Sequence, residues 1–151
     1  MRPRTRPGRT IRYRNLPALA IPDDFPILTC SRCRFEQLNE KTRAALAPIL
    51  HEEYRNALRV RIRRAIDTLS HYISQRRLEK LLGLSQGYLS RLRAGAGSPS
   101  PELVSNLALL AQDPKVRLSE LERYWAKPAL DDPSSDGAEE SAELAGPDSE
   151  S

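Results

Sequence analysis

The stretch Ser74 to Ser100, "SQRRLEKLLGLSQGYLSRLRAGAGSPS", decides how this chain folds. Ser74 is a helix cap, Ile73 before it can staple against Leu78 at the fourth helical position, and Leu78, Leu81 and Leu82 face inward. Gly83 stops that helix, because glycine takes the left-handed conformation at a helix end without steric cost. The device then repeats. Leu84 is the staple, Ser85 the cap and Leu89 the fourth position, which predicts a second helix over 85–94 after a three-residue turn. "AGAGSPS" is a loop, and Ser100-Pro101 supplies the cap and first position of the next helix.

Two short capped helices joined by a tight turn form a helix-turn-helix layout. In "SQGYLSRLRA" only Leu89 and Leu92 must pack inward. The opposite side carries Gly87, Ser90, Arg91 and Ala94, flanked by Gln86 and Tyr88, and this polar, slim face suits a major groove about 12 Å wide. Gln86 is suited to adenine, and Arg91 to guanine or a phosphate. Gln75, at the start of the preceding helix, would lie over the DNA backbone beside amides that favour anions. The expected DNA-binding set is therefore Gln75, Arg76, Ser85, Gln86, Gly87, Tyr88, Ser90 and Arg91. The bland alternative is a helical bundle with a solvated polar face.

Working outward, Leu58, Ile62, Ala65, Ile66 and Leu69 recur at spacings of three and four, with Arg59, Arg61, Arg63 and Arg64 largely around the other side. Downstream, Leu103, Val104, Leu107, Leu110 and Ala111 share one face until Asp113-Pro114 breaks the helix. A short last helix is expected over 119–125, burying Leu118, Leu121 and Trp125. Upstream, Asn39 can cap a helix that Pro48 should end or kink. Ile11 and Tyr13 alternate with Arg12 and Arg14, and the run 25–29 is extended, which suggests a small β-hairpin or ribbon.

The stretch 74–111 is similar to the Cro and phage-repressor (Xre-like) DNA-binding domain. Gln75 opens its first motif helix, Gly83 its turn, Leu89 and Leu92 its core and "GSPSP" its following loop. The resemblance implies that Gln75, Ser85, Gln86, Gly87, Ser90 and Arg91 occupy positions that family uses against DNA. Glu79 departs from the pattern, standing where a small residue is usual; it is expected either to splay the helices slightly or to pair with a nearby arginine. The upstream "TCSRCRF", preceded by an extended hairpin and followed by a helix, resembles the MqsA-type antitoxins. Those proteins place a zinc ribbon before such a domain, bind a toxin with it and repress their own promoter as dimers.

In that family another Cys-x-x-Cys supplies the remaining zinc ligands, whereas "MRPRTRPGRT" holds no cysteine or histidine. Cys30 and Cys33 are thus an incomplete metal site, with four readings: zinc completed by His51 and His71, zinc shared between two subunits, a redox pair, or a degenerate ribbon whose thiols only pack a turn. The last is preferred, so no cofactor is expected. No nucleophile motif or glycine-rich phosphate loop occurs, so catalysis has no constellation and the protein is not expected to be an enzyme.

Charge supports a polyanion partner. All 24 basic residues lie in 1–127 against 12 acidic ones, net +12, while residues 128–151 carry eight acids and no base. Only four of the 24 are lysines; arginine's fork suits phosphate and guanine edges, although GC-rich codon usage gives the same bias. No run of 18 apolar residues occurs, no secretory signal is recognisable and two cysteines make no disulfide scaffold, so the expected compartment is the cytoplasm.

The expectation is a mainly α protein in four parts: a flexible basic arm (1–10) whose Arg2, Arg4, Arg6 and Arg9 track phosphates or merely solubilise, a ribbon remnant and helix (11–50), a five-helix helix-turn-helix domain (51–127) and a disordered acidic tail (128–151) that competes with DNA or is inert. Its expected function is sequence-specific regulation of transcription, repressor-like, as a homodimer on double-stranded DNA. The alternative is an antitoxin or adaptor that binds a toxin or other protein partner through 11–50.

Overall fold

The computed structural model describes residues 1–127, so the acidic tail lies outside the described residues. Five short strands precede five helices. Strands β1 (Arg2–Arg4), β4 (Ile27–Thr29) and β5 (Glu36–Gln37) form an antiparallel sheet with β4 in the middle, and β2 (Thr10–Tyr13) pairs with β3 (Leu16–Ala20). The helices are α1 (Glu40–Leu69), α2 (Gln75–Leu81), α3 (Tyr88–Arg93), α4 (Pro101–Gln112) and α5 (Pro114–Ala126). The protein is mainly α, as the periodicity predicts.

The amino-terminal segment is not a free arm. Arg2 pairs with Thr29 and Arg4 with Ile27 across β1 and β4. Arg9 is only 4% exposed, and its guanidinium donates to the carbonyls of Arg6 and Phe25. Backbone pairing plus this buried staple supplies the order that composition alone could not, because a guanidinium can satisfy several main-chain carbonyls at once. The hairpin also has a different partner from the one expected: β2 pairs with Leu16–Ala20 across the two-residue turn Arg14-Asn15, while the run leading into the cysteines pairs with β1 and β5.

Asn39 caps α1, its side-chain oxygen accepting from the Thr42 amide at 2.8 Å. The helix then continues through Pro48 to Leu69 as one 30-residue element, so the expected break and the boundary at 50/51 are absent. Packing outweighs the missing hydrogen bond. Leu46, Leu50 and Tyr54 on one side of the sequence midpoint, and Leu58, Ile62, Ala65, Ile66 and Leu69 on the other, are all buried, and each large one contributes about 1.5–3 kcal/mol. Helix α1 thereby joins the β layer to the helical bundle. Its Tyr54 hydroxyl donates to Asn15 at 2.7 Å, its ring meets Tyr13 edge to face, and Arg14 stacks over both rings at 5.5 and 5.2 Å.

Helix α4 starts as predicted, with Ser100 accepting from the Leu103 amide and Pro101 in the first turn. Asp113 ends it and at once caps α5, accepting from Val116, so α5 begins at Pro114 rather than near Ser119. Leu118 is buried and Leu121 half-buried. Trp125, expected in the core, is 62% exposed, and it packs edge to face on exposed Tyr124 where α5 runs out of the core's cover.

Candidate nucleic-acid interface

Helices α2 and α3 are set by their ends. Ser74 caps α2 through the Arg77 amide. At the other end Gly83, at φ +65°, lets the Gly83 amide donate to Lys80 and the Leu84 amide to Glu79, the paired bonds of a Schellman motif. The same motif closes α3: the Gly95 amide donates to Leu92 and the Ala96 amide to Arg91. Leu78, Leu89 and Leu92 are buried in the common core, as the spacing requires.

The start of α3 differs from expectation. The helix begins at Tyr88, not Ser85, and Gly87 at φ +78° holds the N-cap position without a side-chain bond of its own. Ser85 remains exposed, accepting only through its carbonyl from the Tyr88 amide. Glu79 takes over the cap. This side chain is 2% exposed, and its carboxylate accepts from the Gly87 amide at 3.0 Å and the Leu89 amide at 2.9 Å. Among the described residues it forms no ion pair. A carboxylate at the positive end of α3 is also favourable electrostatically.

Gln75 completes the arrangement. Its amide nitrogen donates to Glu79 at 3.3 Å and to the Ser90 hydroxyl, linking the first turn of α2 to the exposed side of α3. Burial alone would raise the Glu79 carboxyl, but the Gly87 and Leu89 amides, then Gln75 and the positive charge of Arg91, hold it below its ordinary range. The group is therefore an anion inside the motif. It fixes the backbone at 87–89 while leaving the outer face to other residues.

That outer face gathers the sequence-predicted residues. Ser85, Gln86, Ser90 and Arg91 are exposed together with Arg76, whereas Gln75, Gly87 and Tyr88 are half-buried. A Cβ on Gly87 would stand 3.6 Å from Arg91 Nη1, so the arginine lies back over the turn. Six residues make α3 about 9 Å long. Arg93 leaves this face for Asp67 on α1, at 2.8 Å, and Arg59 reaches the carbonyl of Gly97 at 3.4 Å, so both brace the motif against α1. Sequence reasoning missed the capping role of Glu79, whose only signal was a charged residue at a tightly packed position.

The cysteines lie in the β4–β5 turn. The Cys30 amide donates to Phe35 and its carbonyl accepts from Arg34, which takes φ +58°. The Cys33 amide, the Arg32 amide and the Cys33 side chain lower the Cys30 thiol from its usual value. Among the described residues no group of three or more His, Cys, Asp and Glu comes together. His51 and His71 are exposed, and His71 bonds the Asp67 carbonyl, so they do not complete a site with the thiols. Where the resemblance calls for the second cysteine pair the chain has the loop 5–9, tied down by buried Arg9. The described residues do not bring together four ligands for a zinc within one chain.

Two short helices crossing over a shared leucine core, with a polar outer face and a basic body, define a helix-turn-helix DNA-binding domain. Residues 62–110 match the Helix-turn-helix family model, of the Xre-like type, a span from the second half of α1 into α4. No curated protein and no solved structure matches the chain. Among the described residues no helix is long and apolar enough to cross a membrane.

Proposed function

We propose that the protein is a sequence-specific, repressor-like regulator of transcription that reads the DNA major groove with Ser85, Gln86, Ser90 and Arg91. The observation that carries this reading is the buried Glu79 carboxylate, which holds the backbone of 87–89 by accepting from the Gly87 and Leu89 amides and makes no use of Ser85, Gln86 or Arg91 as hydrogen-bond partners. Groups fixed in that way lose little freedom on binding, which favours specificity. Arg91 and Gln86 offer side chains suited to guanine and adenine edges, and Arg76 with the first main-chain amides of α2 would position the motif on phosphates. A helix of about 9 Å reads few base pairs, so two copies on one operator are proposed.

Selection of bound sequences from random double-stranded DNA tests this. The expected product is a palindrome with half-sites about 10 bp apart; recovery of unenriched sequence would overturn specific recognition. An antitoxin or adaptor role rests on a separate observation. The β layer in front of the bundle presents exposed Phe35 next to the Cys30–Cys33 turn, an apolar group that the fold does not use. Copurification of a small protein that is lost on Phe35→Ser would favour that second role.

A further inference from the structure

A groove of about 690 Å³ lies between α2 and α5, away from the outer face of α3, and the regulatory reading above does not use it. Its walls are Arg77, Lys80 and Leu81 of α2, Gly83 of the turn, and Glu122 and Trp125 of α5. Leu81 is half-buried and the Trp125 ring exposed, so the floor is apolar. Arg77 pairs with Glu122 across the groove, while Lys80 forms no ion pair among the described residues. The groove is therefore apolar with a free cation on its rim.

We propose that this groove is the docking site of the chain's own acidic segment 128–151, which thereby screens the DNA-binding face. Charge complementarity selects the occupant. Every charged side chain after Lys127 is acidic, and the segment opens "PALDD", placing Leu130 beside Asp131 and Asp132. The chain leaves α5 two residues past Trp125, on the groove wall itself. Four residues reach at most about 14 Å, so Leu130 can meet Leu81 and Trp125 while the aspartates meet Lys80 and Arg77.

A segment tethered this closely acts at an effective concentration in the millimolar range, so weak contacts suffice. Exposed ion pairs are individually weak and screened by salt. The docked state is thus one that a polyanion can displace. Arg77 and Lys80 flank Arg76 and Gln75 on the same helix, so eight carboxylates gathered there repel phosphates from the α2 edge of the motif. This consequence for regulation rests on the DNA-binding reading; the docking itself does not.

Trp125 is the only tryptophan in the sequence, and its emission reports the groove without any DNA. The test compares the full chain with a full-length variant in which the eight acids of 131–150 become Asn or Gln. The expected result is that acrylamide quenches Trp125 less in the native chain at low salt than in the variant, and that about 1 M salt, where the screening length falls to about 3 Å, removes the difference. Equal quenching of the two proteins at low salt would overturn the proposal. Shielding that rises with protein concentration would also overturn it, assigning the groove to a second copy. On random-sequence DNA the variant should bind more tightly than the native chain at low salt. If neither protein binds DNA while the quenching difference stands, the regulatory reading fails and the docking survives.

Discussion

Replacing Glu79 by alanine tests how the recognition helix is held. The carboxylate accepts from two main-chain amides at 3.0 and 2.9 Å, and it is almost wholly buried. Bonds to an ionised acceptor each contribute about 1.5–3 kcal/mol net, so losing both should cost about 3 kcal/mol or more at neutral pH. Glu79→Gln keeps one acceptor of similar shape and should lose roughly half of that. Urea unfolding followed by circular dichroism measures both.

The dependence on pH is a second readout of the same substitution. The folded carboxyl lies below its ordinary value, while the unfolded one titrates near about 4.3. Between the two values the unfolded chain binds the proton and the folded chain does not, so stability rises with pH there. The contribution is complete above the unfolded value and is lost as pH falls through the folded one. The gap between native chain and Glu79→Ala should therefore shrink in acid. Ser85 occupies a sequence position suited to a cap. If Glu79→Ala cost almost nothing, and Glu79→Ala with Ser85→Ala then cost much more, Ser85 would be the effective cap and the reasoning refuted.

Three further outcomes are expected. Arg91→Ala should relax base preference and cost about 1–3 kcal/mol of specific binding if the guanidinium reads a guanine; in a mobility-shift series, equal loss on all sequences would assign it to phosphate instead. Gly87→Ala meets no serious clash, since its Cβ would stand 3.6 Å from Arg91, but φ +78° should cost about 1–2 kcal/mol, read from thermal or urea unfolding. Arg9→Ala leaves the Phe25 and Arg6 carbonyls without their donor and should destabilise the β layer by about 1–3 kcal/mol. Faster amide exchange in 2–4 and 27–29 than in α4 would show the effect to be local.

What the sequence determined by itself is the part of the fold written in local signals. The caps Ser74, Ser100 and Asn39, the stop at Gly83, and leucines at helical spacing each act within a turn or two of chain, so the helix-turn-helix and the polar outer face of α3 were legible. The rest of the fold depends on groups distant in sequence. Pro48 passes through α1 because the β layer and the bundle both pack on that helix. Arg2 to Arg4 form a strand because β4 offers an edge, and Arg9 is buried because the carbonyls of Arg6 and Phe25 converge on it. Ser85 does not cap α3, because Glu79, eight residues before Gly87, lies where its carboxylate reaches the Gly87 and Leu89 amides first. Local propensity names the partners a residue can satisfy, and packing chooses among them.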